Sequence, residues 1–281
     1  MKKATVLMLI ALLTLAALNA PALAGEQGPL GRLTKLNVDE VTLSDATAES
    51  YFDKLPFSHF RFFDTLNSMV AALSSGSIAG IEIDEYTARY LLSREENFAI
   101  YTPGEAVPSY TMSFSMLLRE EDAERRDAIS KAIADMEADG TLDALKQRYI
   151  DDVIAGIEPE AVASERFDGA ETFKVALTGD RPPMDYFSPA GEAIGFNTAL
   201  VSEVGKRLGI NVEFISVDTA ARAVSLASGE CDAVFWMEAG DFGGWEKADV
   251  EDQPDNTVAT IPYLEGALTL IVLSTSPLTD N

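Results

Sequence analysis

The 281-residue chain has one cysteine, Cys231, and one histidine, His59. A lone cysteine excludes an intramolecular disulfide, and a lone histidine excludes a metal site built on several imidazoles. It also leaves a Ser-His-Asp arrangement without support, so His59 in the aromatic stretch "FSHFRFF" is expected to be structural. No catalytic group, metal or cofactor is expected. Basic side chains are scarce: 21 Lys and Arg stand against 46 Asp and Glu, for a formal charge of −25. So acidic a surface repels nucleic acid and anionic lipid, and neither is expected as a partner. Glycine-rich phosphate cradles are missing too; "GDFGG" is too short to be a nucleotide fingerprint. The acid pairs Glu95-Glu96 and Asp151-Asp152 suit solvated faces.

Long apolar runs are confined to the start of the chain. Lys2 and Lys3 precede an apolar stretch from Ala4 to Leu18, and "NAPALA" ends in small residues at Ala22 and Ala24. A charged start, a short apolar segment and an Ala-x-Ala site predict a secretory signal over residues 1–24, with the exported chain beginning at Gly25. The run is short for a spanning helix, and no cysteine sits at the site to take a lipid. Cys231, in "GECDAVFW" beside an apolar run, fits a small buried side chain.

With 47% hydrophobic residues the chain can build a sizeable core and two lobes. Leu30, Leu33 and Leu36 are spaced for a short helical turn. "VDEVTLS" alternates as a strand, "ATAESYFDKL" suits a helix, and "FSHFRFFD" an aromatic strand. "TLNSMVAALSSG" places Leu66, Met69, Val70 and Leu73 on one helical face. A buried strand "IAGIEI" then leads into a helix beginning near Asp84. "YTMSFSMLL" alternates as a strand, and residues 122–140 form an amphipathic helix with Ile129, Ile133 and Met136 inward. "TLDALKQRYI" adds another helix. Residues 151–171 lose periodicity and carry Gly156, Pro159 and Gly169, as a linker does. "FKVALT" is a strand, followed by a Pro-Pro loop and a helix with Asn197 as its expected N-cap. "NVEFISV", "DTAARAVSLASG", "CDAVFW" and "GALTLIVLSTS" continue as strand, helix, strand and strand. The stretches "FFDTLNSMVAALSSGSIAGIEI" and "SVDTAARAVSLASGECDAVFW" share one layout, as two similar α/β lobes would.

These blocks resemble the bacterial extracellular solute-binding proteins of the polar amino-acid uptake class, the two-lobed periplasmic receptors of ABC importers. "PPMDY" and "GEAIGFN" are similar to that family's "PPF.Y" loop and "G..IGFD" helix start. "RLGINVEF", "LASGECDA" and "PYLEGALTLIV" are similar to its "RLG..VEF", "L.SG..DA" and "PYY.....LVV". Elements of the family's second half stand earlier: "LSSGSIAGIEIDEYTARYLL" resembles "L.SGKVDAVVVDE..A.YL", and "DAISKAIADMEADGTLDALKQRY" resembles the C-terminal helix pair. The resemblance therefore implies an α/β, type II periplasmic-binding fold in circularly permuted order. Residues 25–105 form a second-lobe-like segment, 106–150 return to the first lobe, 151–171 link the family's native ends, and 172–281 are first-lobe-like. A partial tandem or a swapped dimer remains open as an alternative to one closed, monomeric unit. In the permuted unit "FKVALT" and "YTMSFSMLL" share a lobe, and one crossing between lobes remains, near residues 104–110.

The resemblance implies binding of a small polar, amino-acid-like solute and delivery to an ABC-importer permease, in the periplasm or outside the cell. In the family an Asp at the place of Asp84 receives the ligand's ammonium; Asp84 also stands where a helix cap would, and one carboxylate can do both. The family's carboxylate-binding Arg after "DA" is missing from "VFWMEAGDFGGWEKADVED". Arg181, at the mouth of the Pro-Pro loop, is the substitute, or else a solvated loop residue. Tyr186 and Trp236 are candidate pocket walls or core, and Glu238 and Asp241 are either surface or a bias toward a cationic ligand. A cyclohexadienyl-dehydratase-like enzyme and a ligand-sensing module use the same fold; a dehydratase would want cationic clamps for carboxylates, which the absent Arg argues against.

Overall fold

A computed structural model describes residues 30–33, 60–63, 65–78, 80–101, 111–162, 164–218, 221–239 and 254–276. In chain order its strands are β1 Leu30–Leu33, β2 Phe60–Phe63, β3 Gly80–Asp84, β4 Phe98–Ile100, β5 Thr111–Arg119, β6 Thr172–Leu177, β7 Asp180–Arg181, β8 Asp185–Phe187, β9 Ala193–Ile194, β10 Asn211–Ser216, β11 Ala233–Ala239, β12 Thr257–Ala259 and β13 Leu264–Leu273. The longer helices are α1 Leu66–Ser74, α2 Glu85–Arg94, α3 Ala123–Ala138, α4 Thr141–Lys146, α5 Phe196–Leu208 and α6 Arg222–Ser228. The expected signal, the segments 38–44 and 46–55, His59, the crossing at 104–110 and Asp241 lie outside the described residues.

Among the described residues one mixed sheet runs in the order β10-β6-β11-β5-β13-β3-β1-β2, with β12 beside β5 and β4 beside β13. Its first portion pairs β6 in parallel with β10 and β11, and β5 antiparallel to β11. Its second portion sets β1 in parallel between β2 and β3. β6 and β5 share the first portion as expected, separated only by β11, although they lie far apart in the chain. Strand β13 belongs to both portions: Leu264–Ala267 pair with β5, and Leu268–Val272 pair with β3. The expectation of a single crossing is therefore corrected. A strand hydrogen-bonded on both sides is a stiff connection, because its backbone groups are fixed.

Most local expectations follow from burial periodicity. α3 buries Ile129, Ala132, Ile133 and Met136 at 3- and 4-residue intervals, the stripe that faces a core. β3 is buried at every position, as a strand covered on both faces must be. Two expectations fail. The leucine spacing around Leu30 suggests a helical turn, but Leu30–Leu33 is a strand with paired neighbours on both sides. Four residues are too few for a helix to compete with two ladders of hydrogen bonds. The second correction is the cap of α5, which is Gly195 at φ 115° rather than Asn197. The chain after α4 also stays helical through a wide turn, Gln147–Asp151, to Ile154, so that the first four residues of the expected linker are helical. Beyond it the chain is irregular but pinned: the Asn211 amide donates to the Phe167 and Ala170 carbonyls and accepts from the Phe167 N–H.

The main core holds Met69, Ile81 and Leu91 from the second portion together with Phe114, Phe173 and Leu200 from the first. A smaller apolar cluster lies on the opposite face of β11, where Leu117, Ala176, Leu226, Cys231, Val234 and Trp236 pack under α6. Burial there pushes the Cys231 thiol up to about 11. At neutral pH a thiol reagent should leave the folded protein unmodified and label it once urea unfolds it. Labelling of the native protein within minutes would contradict the packing.

Candidate functional site

Strand β3 ends in Asp84, which is fully buried, and α2 begins at the next residue. The Asp84 Oδ1 atom accepts hydrogen bonds from the N–H groups of Tyr86 and Thr87 at 3.1 and 3.0 Å. It thereby satisfies two of the helix-start donors that have no partner within the helix. Its other oxygen, Oδ2, accepts from Arg181 Nη2 at 2.6 Å. The reading of Asp84 as a helix cap is met, and its second oxygen faces a cation. Its cation is supplied by the protein itself.

Arg181 ends β7, in a small separate sheet formed by β7, β8 and β9 that follows β6 in the chain. Its side chain is 7% exposed, which corrects the alternative of a solvated loop arginine. The guanidinium lies 5.7 Å from the centre of the Phe114 ring, and Nη2 also meets the Met237 sulfur at 3.6 Å. Its Nε has no hydrogen-bond partner among the described residues, and neither does the nearby Thr87 Oγ1. Buried ions of opposite sign so close together are held mainly by mutual need, since each would be severely destabilised alone.

A polar network fixes the loop that carries Arg181. Asp185, itself buried, accepts from Thr178 Oγ1, from the Gly179 N–H and from Asn197 Nδ2. Asn197 Oδ1 in turn accepts from the Tyr263 hydroxyl at 3.0 Å. Burial holds that phenol well above its ordinary range, with the Asp185 charge acting in the same direction. Asn197 is therefore spent on the loop rather than on capping its own helix. Backbone bonds complete the clamp: Met184 N–H donates to Arg181 O, and the N–H groups of Phe196 and Asn197 donate to the carbonyls of Pro183 and Met184. The Pro182–Pro183 peptide within it is cis.

Of the remaining expected site residues, Trp236 stands apart from this pair. Trp236 is buried in the cluster under α6, with the Arg222 guanidinium 5.5 Å from its ring centre. It lies on the face of β11 opposite Met237, so the pocket-wall reading gives way to the core reading; a strand turns successive side chains to opposite faces. Tyr186 is half-buried, and burial is the main cause that pushes its hydroxyl above the ordinary range. Glu238 is placed on β11 opposite Ser113. Sequence reasoning missed Asp180, Asp185, Phe114 and Met237 as neighbours of the site. The run "GDRPPMD" carried a signal for the first two: acids on either side of an arginine in a tight loop need partners.

Where the portions meet, the Tyr86 hydroxyl donates to the Glu265 carbonyl of β13, and Gly266 lies against the Tyr86 ring. The site thus sits beside the strand that joins the portions. It is a buried junction of one carboxylate and one guanidinium, and it offers a reception point for each sign of charge on either side of the contact.

Comparison with known proteins gives one family and a set of distant folds. No curated protein matches the chain. Among solved structures it is similar to full-length CbnR in complex with target DNA (9% identity, TM-score 0.43), covering 89% of this chain and 65% of that one. It is similar to the ligand-binding component of an ABC-type import system from Staphylococcus aureus with zinc bound (11%, TM-score 0.43), covering 90% and 67%. It is also similar to the GluR0 ligand-binding core in complex with L-glutamate (10%, TM-score 0.41), covering 92% and 89%. Residues 173–237, from β6 through most of β11 and including Arg181 and its clamp, match the bacterial extracellular solute-binding proteins, family 3. That match covers about a quarter of the chain and concerns this segment alone.

Proposed function

We propose that the protein binds a small polar, amino-acid-like solute in the periplasm or outside the cell and delivers it to the permease of an ABC importer. It acts as a monomer and by binding, not catalysis. The observation that carries this reading is Asp84: a fully buried carboxylate with one oxygen on two helix-start N–H groups and the other turned to a cation. A solute ammonium would take the second oxygen, and Arg181, once released, would take the solute's carboxylate. The segment match to extracellular solute-binding proteins supports the class of function, and the predicted secretory signal supports the compartment. The order of elements supports a circularly permuted chain, with residues 151–171 joining ends that stand apart in the family.

Asp84→Asn should keep the helix cap, since asparagine caps as well as aspartate. It should weaken binding of the zwitterionic solute roughly thirty-fold or more, because truncating one partner of a buried charged contact costs about 2–5 kcal/mol. Calorimetric titration of both proteins, with a panel of L-amino acids, decides it. Equal affinity in the variant would move the site elsewhere.

A further inference from the structure

Two successive residues of β7, in the small three-stranded sheet that follows β6, reach across to elements of the second portion. Asp180 Oδ2 accepts from the N–H of Leu66, the first residue of α1, at 3.4 Å. Arg181 Nη2 donates to Asp84, the cap of α2, at 2.6 Å. An anion on a helix N-terminus and a cation on a buried carboxylate are the two contacts that a zwitterion would make with this face. We propose that Asp180 and Arg181 stand in for the solute, latching the two portions together until a solute bearing both charges displaces them.

The latch rests on the reading of Asp84 as the solute's cation receptor, and it adds a rule of selection to that reading. When a zwitterion enters, its ammonium replaces the guanidinium on Asp84. Its carboxylate then meets the freed Arg181 and the freed Leu66 N–H. Asp84 and Arg181 both stay paired, the unused Arg181 Nε gains an acceptor, and the half-buried Asp180 exchanges its Leu66 contact for water. A simple amine would take Asp84 but strand Arg181; a simple carboxylate would take Arg181 but strand Asp84. A stranded buried ion is strongly unfavourable, so single-charge solutes are refused. The latch also lowers the apparent affinity for every solute by the fraction of molecules in which it is open.

The distance between α1 and α6, measured without any solute, tests the latch separately from the binding function. Cys231 is buried, so spin labels can be attached selectively through Ser74→Cys on α1 and Val224→Cys on α6, both exposed sites. The labelled parent should give one narrow distance distribution, and Arg181→Lys should keep it. Arg181→Gln should broaden it toward longer distances. So should Asp84→Asn/Arg181→Gln, which leaves no unpaired buried charge and serves if the single variant does not fold. In titrations with ethylammonium, Arg181→Gln should bind at least ~tenfold more tightly than the parent, because the internal competitor is gone. Identical distributions in the parent and the neutral double variant would overturn the latch. An amine affinity no higher in Arg181→Gln than in the parent would also overturn it. If no amino acid of the panel binds the parent, the solute reading fails, while the solute-free distances still decide the latch.

Discussion

Arg181→Ala is expected to lower the free energy of unfolding by about 3–5 kcal/mol, the usual consequence of removing one partner from a buried ion pair. The reason is local. Asp84 is fully buried, and its Oδ2 has the Arg181 guanidinium as its hydrogen-bond partner. Alanine would leave that oxygen facing the Phe114 ring and the Met237 sulfur, neither of which can solvate a charge. The pair itself need not be strongly stabilising, since bringing both ions out of water costs about what their attraction returns. Asp84→Asn combined with Arg181→Met separates these effects: asparagine keeps the cap and methionine fills the space. The double variant should recover most of the loss, to within about 1 kcal/mol of the parent. Urea midpoints at unchanged slope provide the measurement. A single variant as stable as the parent would mean that water reaches Asp84.

Gly195→Ala should cost roughly 3 kcal/mol or more, from overpacking added to an unfavourable backbone conformation. Gly195 caps α5 at φ 115°, in the region that residues with a Cβ avoid. A Cβ there would lie 2.4 Å from the Met184 carbonyl oxygen and 2.9 Å from that of Pro183. Both obstacles are backbone, and both carbonyls already accept hydrogen bonds from the start of α5. Relief would require the loop to leave the helix, carrying Arg181 with it. The variant should therefore lose solute affinity as well as stability, although residue 195 touches neither charge of the pair. Asn197→Ala offers a comparison, since it removes the Asp185 and Tyr263 hydrogen bonds without forcing the backbone apart. A Gly195→Ala protein with the parent's urea midpoint would contradict the close approach.

The elements that could be anticipated are those whose burial repeats along the chain. α3 and β3 declare themselves because one period of side chains is apolar, and β5 and β6 fall in one sheet portion as the rotated motifs imply. The strand at Leu30 could not be foreseen, because its partners at Phe60 and Gly80 are distant in the chain. The double membership of β13 escaped for a related reason: a ten-residue, largely apolar strand says nothing about where it changes neighbours. At the site, Asp84 and Arg181 were legible as opposite charges at a strand end and a loop mouth. Their direct contact was not, since it joins positions 97 residues apart. Trp236 failed as a pocket residue because alternation assigns a face only relative to a reference, and only Met237 against Arg181 supplies one.

Native mass spectrometry of freshly purified protein, parent beside Asp84→Asn, tests the central claim most directly. The parent should carry a small zwitterionic solute as a discrete added mass, restored by an amino acid from the panel after dialysis, and Asp84→Asn should carry little or none. An added mass retained at equal occupancy by Asp84→Asn, or a parent that takes up no member of the panel, would contradict solute binding at this carboxylate.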